Sequence, residues 1–244
     1  MTGARSVLLP IAALTILAWA YLFGVSAGID APGAMVMPSV GAWSAATFAT
    51  VAVMWAVMMV GMMLPSAAPM LIVHRRVAER RRIRGSHAQP TWLFAGGYVL
   101  VWTAFALVAA TTNGLLHSRG LLDAMMGSAT APVGGAILVA AGAYQVTPIK
   151  DRCLRACQTP VGYLGTHWRD GRVGTVRMGV EHGLYCVGCC WLIMALLFVV
   201  GIMNLAWVAV LAVFILLEKV LPRTTWLTRV SGLALIGWGV VLLT

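Results

Sequence analysis

The sequence predicts an all-α fold, a polytopic integral membrane bundle of about seven transmembrane helices. The chain of 244 residues is 61% hydrophobic and 10% charged, whereas about a quarter of the residues in a soluble protein are charged. Several apolar runs also approach or exceed about 18 residues, which is enough to cross about 30 Å of hydrocarbon. The short alternating segments of an outer-membrane barrel are missing from the sequence.

Seven apolar segments define the predicted spans. The first follows Arg5 alone and has no small-residue cleavage site, so we interpret it as a retained span rather than a signal peptide. The second is long and contains Pro65 and Pro69, which predict a kink or break near residues 61–65. The spans cover approximately residues 7–28, 44–73, 92–113, 127–147, 183–203, 205–221 and 227–243.

Basic residues lie between these spans and predict their orientation. The formal net charge is +10, but the charges follow loop position and we expect no nucleic-acid partner. Six arginines fall within 74–85, five more lie with Lys150 in 148–182, and Arg119 alone follows span three. Cytoplasmic loops are enriched in Lys and Arg. The chain is therefore predicted to cross the bilayer of the bacterial inner membrane, with its N-terminus cytoplasmic and its C-terminus outside.

The whole chain, 1–244, is predicted to form one transmembrane domain. Residues 148–182 form the one long polar connection between predicted spans, and Pro and Gly interrupt it repeatedly. Such punctuation argues against a separate folded domain. We expect this cysteine-containing connection to lie along the cytoplasmic membrane surface.

The stretch EHGLYCVGCCW at 181–191 concentrates three cysteines at the predicted start of span five. On a helix, His182, Cys186 and Cys190 follow one another at four-residue intervals, and Cys189 lies on nearly the same face. Thiolate and imidazole ligands together select soft or borderline metals. The stretch therefore predicts a metal site for Cu(I), with zinc as an alternative. Packing of small buried thiols is the competing interpretation.

A second pair, Cys153 and Cys157, occurs in KDRCLRACQTP. If this segment is helical, both thiols point the same way and lie on the same membrane side as Cys186. All five thiols and His182 would then converge on one site. Cytosolic thiols are kept reduced, so a metal or transient redox role is favoured over a structural disulfide.

Methionine is concentrated in span two, in MWAVMMVGMMLPSAAPM at 54–70. Thioethers are neutral, soft ligands that suit Cu(I) and tolerate burial in lipid. The methionines are equally suited to filling gaps in a packed core. The candidate ligands on two adjacent stripes of this helix are Met58, Met59, Met62 and Met63.

Two ionisable residues end the run VAVLAVFILLEKVLP at 208–222. We expect Lys219 to reach the membrane interface with its long side chain. Glu218 is a further candidate metal ligand or proton site, since ionisable groups inside spans are costly. Its expected partner is His182 or an arginine. His117 is expected in an external loop without a ligand role.

Three stretches together resemble a known family, the bacterial predicted metal-binding integral membrane proteins. This family is a domain of unknown function that is sometimes labelled copper chaperone. The resemblance covers most of residues 50–222 and implies a membrane-embedded metal-binding protein. It is carried by the methionine segment, by YQVTPIKDRCLRACQTP (144–160), and by GLYCVGCCWLIMALLFVVGIMN (183–204) with LLEKVLP (216–222).

These observations favour copper handling or delivery, with a metallochaperone or membrane complex as partner. One alternative is a thiol–disulfide redox protein using the pair Cys186 and Cys189. Another is a structural subunit whose cysteines only pack. Neither a phosphate-binding loop nor a hydrolase triad is evident in the sequence, so we assign no catalytic residues and favour a function other than catalysis.

Overall fold

The computed structural model describes residues 2–29, 44–122, 128–202, 204–221 and 225–244. Residues 127 and 203, which bound two predicted spans, lie outside these ranges. Within the described ranges the chain is helical apart from connecting segments and one isolated antiparallel bridge, between Leu122 and Ala129. The all-α prediction is therefore confirmed. The helices are α1 (Thr2–Ile29), α2 (Ala45–Ile83), α3 (Thr91–Ser118), α4 (Ala131–Gln145), α5 (Pro148–Gln158), α6 (Pro160–His167), α7 (Gly171–Ala195), α8 (Leu197–Val200), α9 (Leu205–Val220) and α10 (Thr225–Leu243).

Five apolar helical segments are long enough to cross a membrane, counted over the described ranges and judged by length and composition. They are α1, α2, α3, α7 together with α8, and α10. A sixth exists if α4 and α5, which meet at a bend of 66°, form one broken span. Because α9 has only 16 residues, it does not reach the 18 residues of a candidate span. The predicted count of seven is thus not confirmed.

Helix α2 continues through Pro65 and Pro69 without a break, and the kink near residues 61–65 stays a prediction. One predicted helix boundary is wrong. Helix α7 begins at Gly171 rather than near residue 183, so EHGLYCVGCCW lies in the helix interior and not at its mouth. Ion pairs stabilise the polar first turns of α7, and a hydropathy criterion does not detect such pairs. Within it, Glu181 accepts from Arg177 at 2.9 Å, one turn before it.

The connection 148–182 is mostly helical, since it contains α5, α6 and the first turns of α7; its position along the membrane surface stays a prediction. Helix α5 begins after Thr147, whose hydroxyl accepts from the backbone N–H of Lys150 at 3.3 Å. This is the N-cap hydrogen bond typical of a helix start. Helix α5 packs along α7, which places Cys153 and Cys157 beside the cysteines of α7.

Glycines allow the closest helix contacts. A Cβ added at Gly142 of α4 would lie 2.5 Å from the carbonyl oxygen of Gly232 in α10. A Cβ at Gly183 of α7 would lie 2.9 Å from Cβ of Val101 in α3. Small residues let helix backbones approach in this way inside membranes. The close pairing of α3 with α7 brings side chains of α3 against the cysteines.

Helix α2 lies at the centre of the bundle and contacts α1, α3, α6 and α9. Its methionines and Trp55 are buried, as are Tyr98 and Trp102 of α3. The outer surface is apolar as well, with Leu9, Ile16 and Val241 among the large exposed side chains. An apolar core inside an equally apolar exterior fits a bundle surrounded by lipid.

Candidate functional site

Cys186 lies in the middle of α7, where polar groups from three other helices converge. Its Sγ accepts a hydrogen bond from Nζ of Lys219 in α9 at 2.9 Å. The hydroxyl of Tyr98 in α3 is 3.0 Å from the same sulfur. Lys219 also donates to Oγ of Ser66 in α2 at 2.9 Å. All four residues are buried, so a buried ammonium is paired with a thiol rather than with a carboxylate.

Three further thiols join Cys186 and form what we call the thiol cluster, Cys157, Cys186, Cys189 and Cys190. The thiols of Cys189 and Cys190 each donate to the carbonyl oxygen of Cys186 at 3.0 Å. Cys157 of α5 lies near Cys186 and Cys189. It therefore places α5 beside the cysteines of α7, and convergence of the two cysteine groups on one metal site stays a prediction.

Cys153 lies beside the thiol cluster without joining Cys186. Its Sγ covers Gly188 and would lie 2.8 Å from a Cβ added there. The side chain is half-buried, and all five cysteines are free thiols. The predicted pair on α5 thus lies beside α7, with Cys153 against Gly188 and Cys157 near Cys186 and Cys189.

Met63 is a predicted methionine ligand that contacts this centre. Its Sδ is 3.9 Å from Nζ of Lys219, and its carbonyl oxygen accepts hydrogen bonds from the hydroxyls of Tyr98 and Ser66. Met58, Met59 and Met62 are buried in the same apolar core as Cys186. Close packing accounts for their burial, and their role as ligands stays a prediction.

His182 lies one turn before Cys186, inside a group of aromatic rings. Its ring centroid is 5.8 Å from those of Phe94 and Tyr98 and 5.4 Å from that of Tyr163. Its Nδ1 is buried and has no hydrogen-bond partner in the described part of the chain. The imidazole therefore has an unused ligating nitrogen, and its role as a metal ligand stays a prediction.

The partner that the structure shows for Glu218 is Lys150, which the sequence analysis did not anticipate. Its Oε2 accepts from Nζ of Lys150 at 2.8 Å, and the two side chains are 2% and 0% exposed. Gln145 donates to Oε1 of Glu218 at 3.2 Å and to Ser231 at 2.9 Å. This network joins α4, α5, α9 and α10. The role of Glu218 as a metal ligand stays a prediction.

The structure corrects two further expectations. Lys219 does not extend to the membrane interface, because its ammonium points inward to Cys186 and is buried. His117 lies in the last turn of α3 and is 1% exposed, not in an external loop. Sequence reasoning also missed Tyr98 and Ser66, which complete the hydrogen bonds around Cys186 and Lys219.

The donor set of this site suits a soft metal ion, since it combines thiols with a thioether. The side chains are arranged by hydrogen bonding rather than around a metal ion. Over the described ranges, no group of three or more His, Cys, Asp or Glu side chains is placed to hold one. The Lys219 ammonium is the cation next to Cys186 in this arrangement. Metal binding at the thiol cluster therefore requires Lys219 and the thiols to rearrange.

Comparison with known proteins identifies the family. Residues 52–242 match the model of the PpoB2 family, which is described as copper chaperone. No curated protein and no solved structure matches the chain. The matched range includes the thiol cluster, Met63 and Lys219, whereas α1 lies outside it. Since the match covers most of the chain and agrees with the resemblance seen in its motifs, the chain belongs to this copper chaperone family.

Proposed function

We propose that the chain is a membrane-embedded copper chaperone that carries Cu(I) as cargo at the thiol cluster. The observation that carries this proposal is the packing of three buried thiols of α7 beside Cys157 of α5, with the Met63 thioether 3.9 Å from the Lys219 ammonium that contacts Cys186. Sulfur ligands select Cu(I) over the hard cations that are abundant in cells. Zinc is the second candidate ion, and the family description also supports copper.

The position of each sulfur suggests its role. Cys186 is the principal ligand, because its Sγ is the sulfur that both Lys219 and Tyr98 contact. Cys157 lies on a different helix, so a movement of α5 against α7 would add or remove one ligand. Cys153, one turn away on α5, offers a thiol through which the ion could leave towards a metallochaperone or a membrane-complex partner. His182, with its unused Nδ1, is the candidate nitrogen ligand.

Copper content tests this site. We would reconstitute purified protein with Cu(I) under anaerobic, reducing conditions and measure copper per chain after competition with a Cu(I) chelator. Cys186→Ser should lose bound copper, while its hydroxyl still hydrogen-bonds to Lys219 and Tyr98 and preserves the fold. Cys153→Ser is the matched control and should retain copper.

Wild-type copper content in a folded Cys186→Ser variant would refute the assignment. A mixed disulfide trapped at Cys186 in a protein that binds no copper would instead support the redox alternative.

We further propose that the whole chain is one domain that crosses the inner membrane seven times, with α9 as the sixth span and the N-terminus cytoplasmic. The distribution of Lys and Arg supports this orientation. Arg84 and Thr244 are both exposed and would lie on opposite sides. In a cysteine-free background, Thr244→Cys should react with an impermeant maleimide in spheroplasts. Arg84→Cys should react only after lysis, and the reverse pattern would overturn the orientation.

A further inference from the structure

A cleft between α1 and α3, with α2 as its floor, is separate from the thiol cluster. Its volume is about 530 Å³. Most of its wall is apolar and includes Val7, Ile11, Leu64, Ala95 and Gly96. Polar residues occur at one end only, where Ser6, Arg75 and Thr91 line the cleft. The cleft therefore has an apolar body and a cationic end.

A second, smaller cavity of about 100 Å³ adjoins that cationic end. The two cavities share Arg75 and Thr91, and the smaller one is also lined by Glu79, Arg82 and Gln89. Its polar lining contrasts with the apolar cleft. Together the cavities have the chemical profile of an amphiphile, with a small polar head beside a long apolar body.

The charged residues around the small cavity, at the cationic end of the cleft, favour an anionic ligand. Arg75 and Arg82 outnumber Glu79, which is itself exposed and only 3.4 Å from Nη2 of Arg75. Nη1 of Arg75 donates to Oγ of Ser6. Nε of Arg75 is buried and has no hydrogen-bond partner among the described residues. Because the Arg75 side chain is 32% exposed, the accessible part of its guanidinium group can pair with a phosphate oxygen.

The length of the cleft fits one acyl chain. Val60 and Arg75 both line it, and at about 1.5 Å per residue they are separated by about 22 Å along α2. Half of the hydrocarbon core of a bilayer is about 15 Å thick. A lipid tail from one leaflet can therefore lie along the cleft while its headgroup stays at the arginines.

We propose that these two cavities bind one anionic phospholipid, with its phosphate at Arg75 and Arg82 and an acyl chain between α1 and α3. The site rests on the membrane placement proposed above but is independent of copper binding. The arginines select an anionic headgroup over a zwitterionic one, and the apolar cleft selects a lipid over free phosphate.

Binding to the full-length protein in detergent tests the proposal. Delipidated protein would be titrated with phosphatidylglycerol, phosphatidylcholine or inorganic phosphate, and bound ligand counted by native mass spectrometry. Phosphatidylglycerol should bind most tightly and inorganic phosphate should not bind. Arg75→Gln should weaken phosphatidylglycerol binding at least about fivefold, equivalent to about 1 kcal/mol for one arginine near the phosphate. Arg80→Gln removes the same charge from an exposed position of α2 and should leave binding unchanged.

A second pair of variants tests the cleft without changing charge. A Cβ at Gly96 meets no atom within 4 Å, so Gly96→Leu should fill the cleft and weaken phosphatidylglycerol binding while the helices stay packed. Gly237→Leu on α10 is equally unobstructed and serves as the control. All four variants should retain wild-type copper content, which separates this site from the thiol cluster.

Three results would overturn the lipid site. They are equal binding of phosphatidylglycerol and phosphatidylcholine, equal effects of the two arginine variants, and binding of inorganic phosphate as tight as that of the lipid. Since maleimide labelling tests the membrane placement separately, failure of the lipid site and failure of that placement are distinguishable.

Discussion

Glu218→Gln should destabilise the protein strongly, because it leaves Lys150 as an unpaired buried charge. The two groups are 2.8 Å apart and almost completely buried. At an effective dielectric constant of about 20, unit charges at that distance attract each other by about 6 kcal/mol. Desolvation offsets much of this attraction in the intact pair, but removing one partner of a buried pair costs about 3–5 kcal/mol. We expect a loss of that size in the free energy of unfolding.

A double-mutant cycle measures the coupling directly. Lys150→Met should also destabilise, although less, because Gln145 still donates to Glu218. The double variant Lys150→Met/Glu218→Gln contains neither charge and should lose much less stability than the sum of the single losses. The free energy of unfolding would be followed by tryptophan fluorescence during titration with a denaturing detergent.

Glu181→Gln is the matched control, since it makes the same change at an ion pair near the surface. Arg177 lies 2.9 Å from Glu181, but its side chain is 62% exposed. Exposed pairs contribute about 0–1 kcal/mol, so the control should change stability by no more than that. Additive single losses in the double variant, or equal losses for Glu218→Gln and Glu181→Gln, would refute the reasoning.

Two further predictions concern helix packing and acid stability. Gly179→Ala places a Cβ 2.9 Å from the carbonyl carbon of Phe94, so it should force α3 from α7 and lower the free energy of unfolding by about 1–3 kcal/mol. Gly96→Ala should leave the free energy of unfolding unchanged, and equal effects of the two variants on it would contradict the packing argument. Asp170 accepts hydrogen bonds from Trp168 at 2.9 Å and Ser86 at 3.0 Å, and the bond from Trp168 lowers the pKa of its carboxyl. A carboxyl with a lowered folded-state pKa stabilises the fold above its unfolded pKa, and this stabilisation is lost as the pH falls through the folded value. Asp170→Asn should therefore flatten the loss of stability below about pH 4, and an unchanged pH profile would show that this contact contributes nothing.

Hydropathy predicted most helices well, because an apolar run is a direct property of the sequence. The predicted segments 92–113 and 205–221 correspond to α3 and α9 within a few residues. The start of α7 was missed because its first turns carry Arg172, Arg177 and Glu181. Arg177 and Glu181 favour a helix through one ion pair four residues apart, whereas a hydropathy criterion counts all three residues as loop.

The cysteines of the candidate site could be predicted from the sequence, but the hydrogen bonds that join them to other helices could not. The spacing of Cys186, Cys189 and Cys190 placed them close together on a helix, as the structure shows. That Cys157 and not Cys153 reaches Cys186 depends on how α5 crosses α7. Local sequence signals the break before α5, through the cap of Thr147 and through Pro148, but it does not encode the 66° angle between α4 and α5.

The inward position of Lys219 could have been predicted from the helical periodicity of α9. The expectation that a long lysine side chain reaches the membrane interface gave the wrong direction. The buried residues of α9 are Val208, Leu211, Ile215, Glu218 and Lys219, which form one stripe at spacings of three and four residues. A lysine on that stripe points into the bundle even near a helix end, and a buried ammonium requires a partner. The neighbouring carboxylate of Glu218 is engaged by Lys150. Lys219 therefore pairs with the thiol of Cys186, and a count of formal charges cannot anticipate that partner because cysteine is counted as neutral.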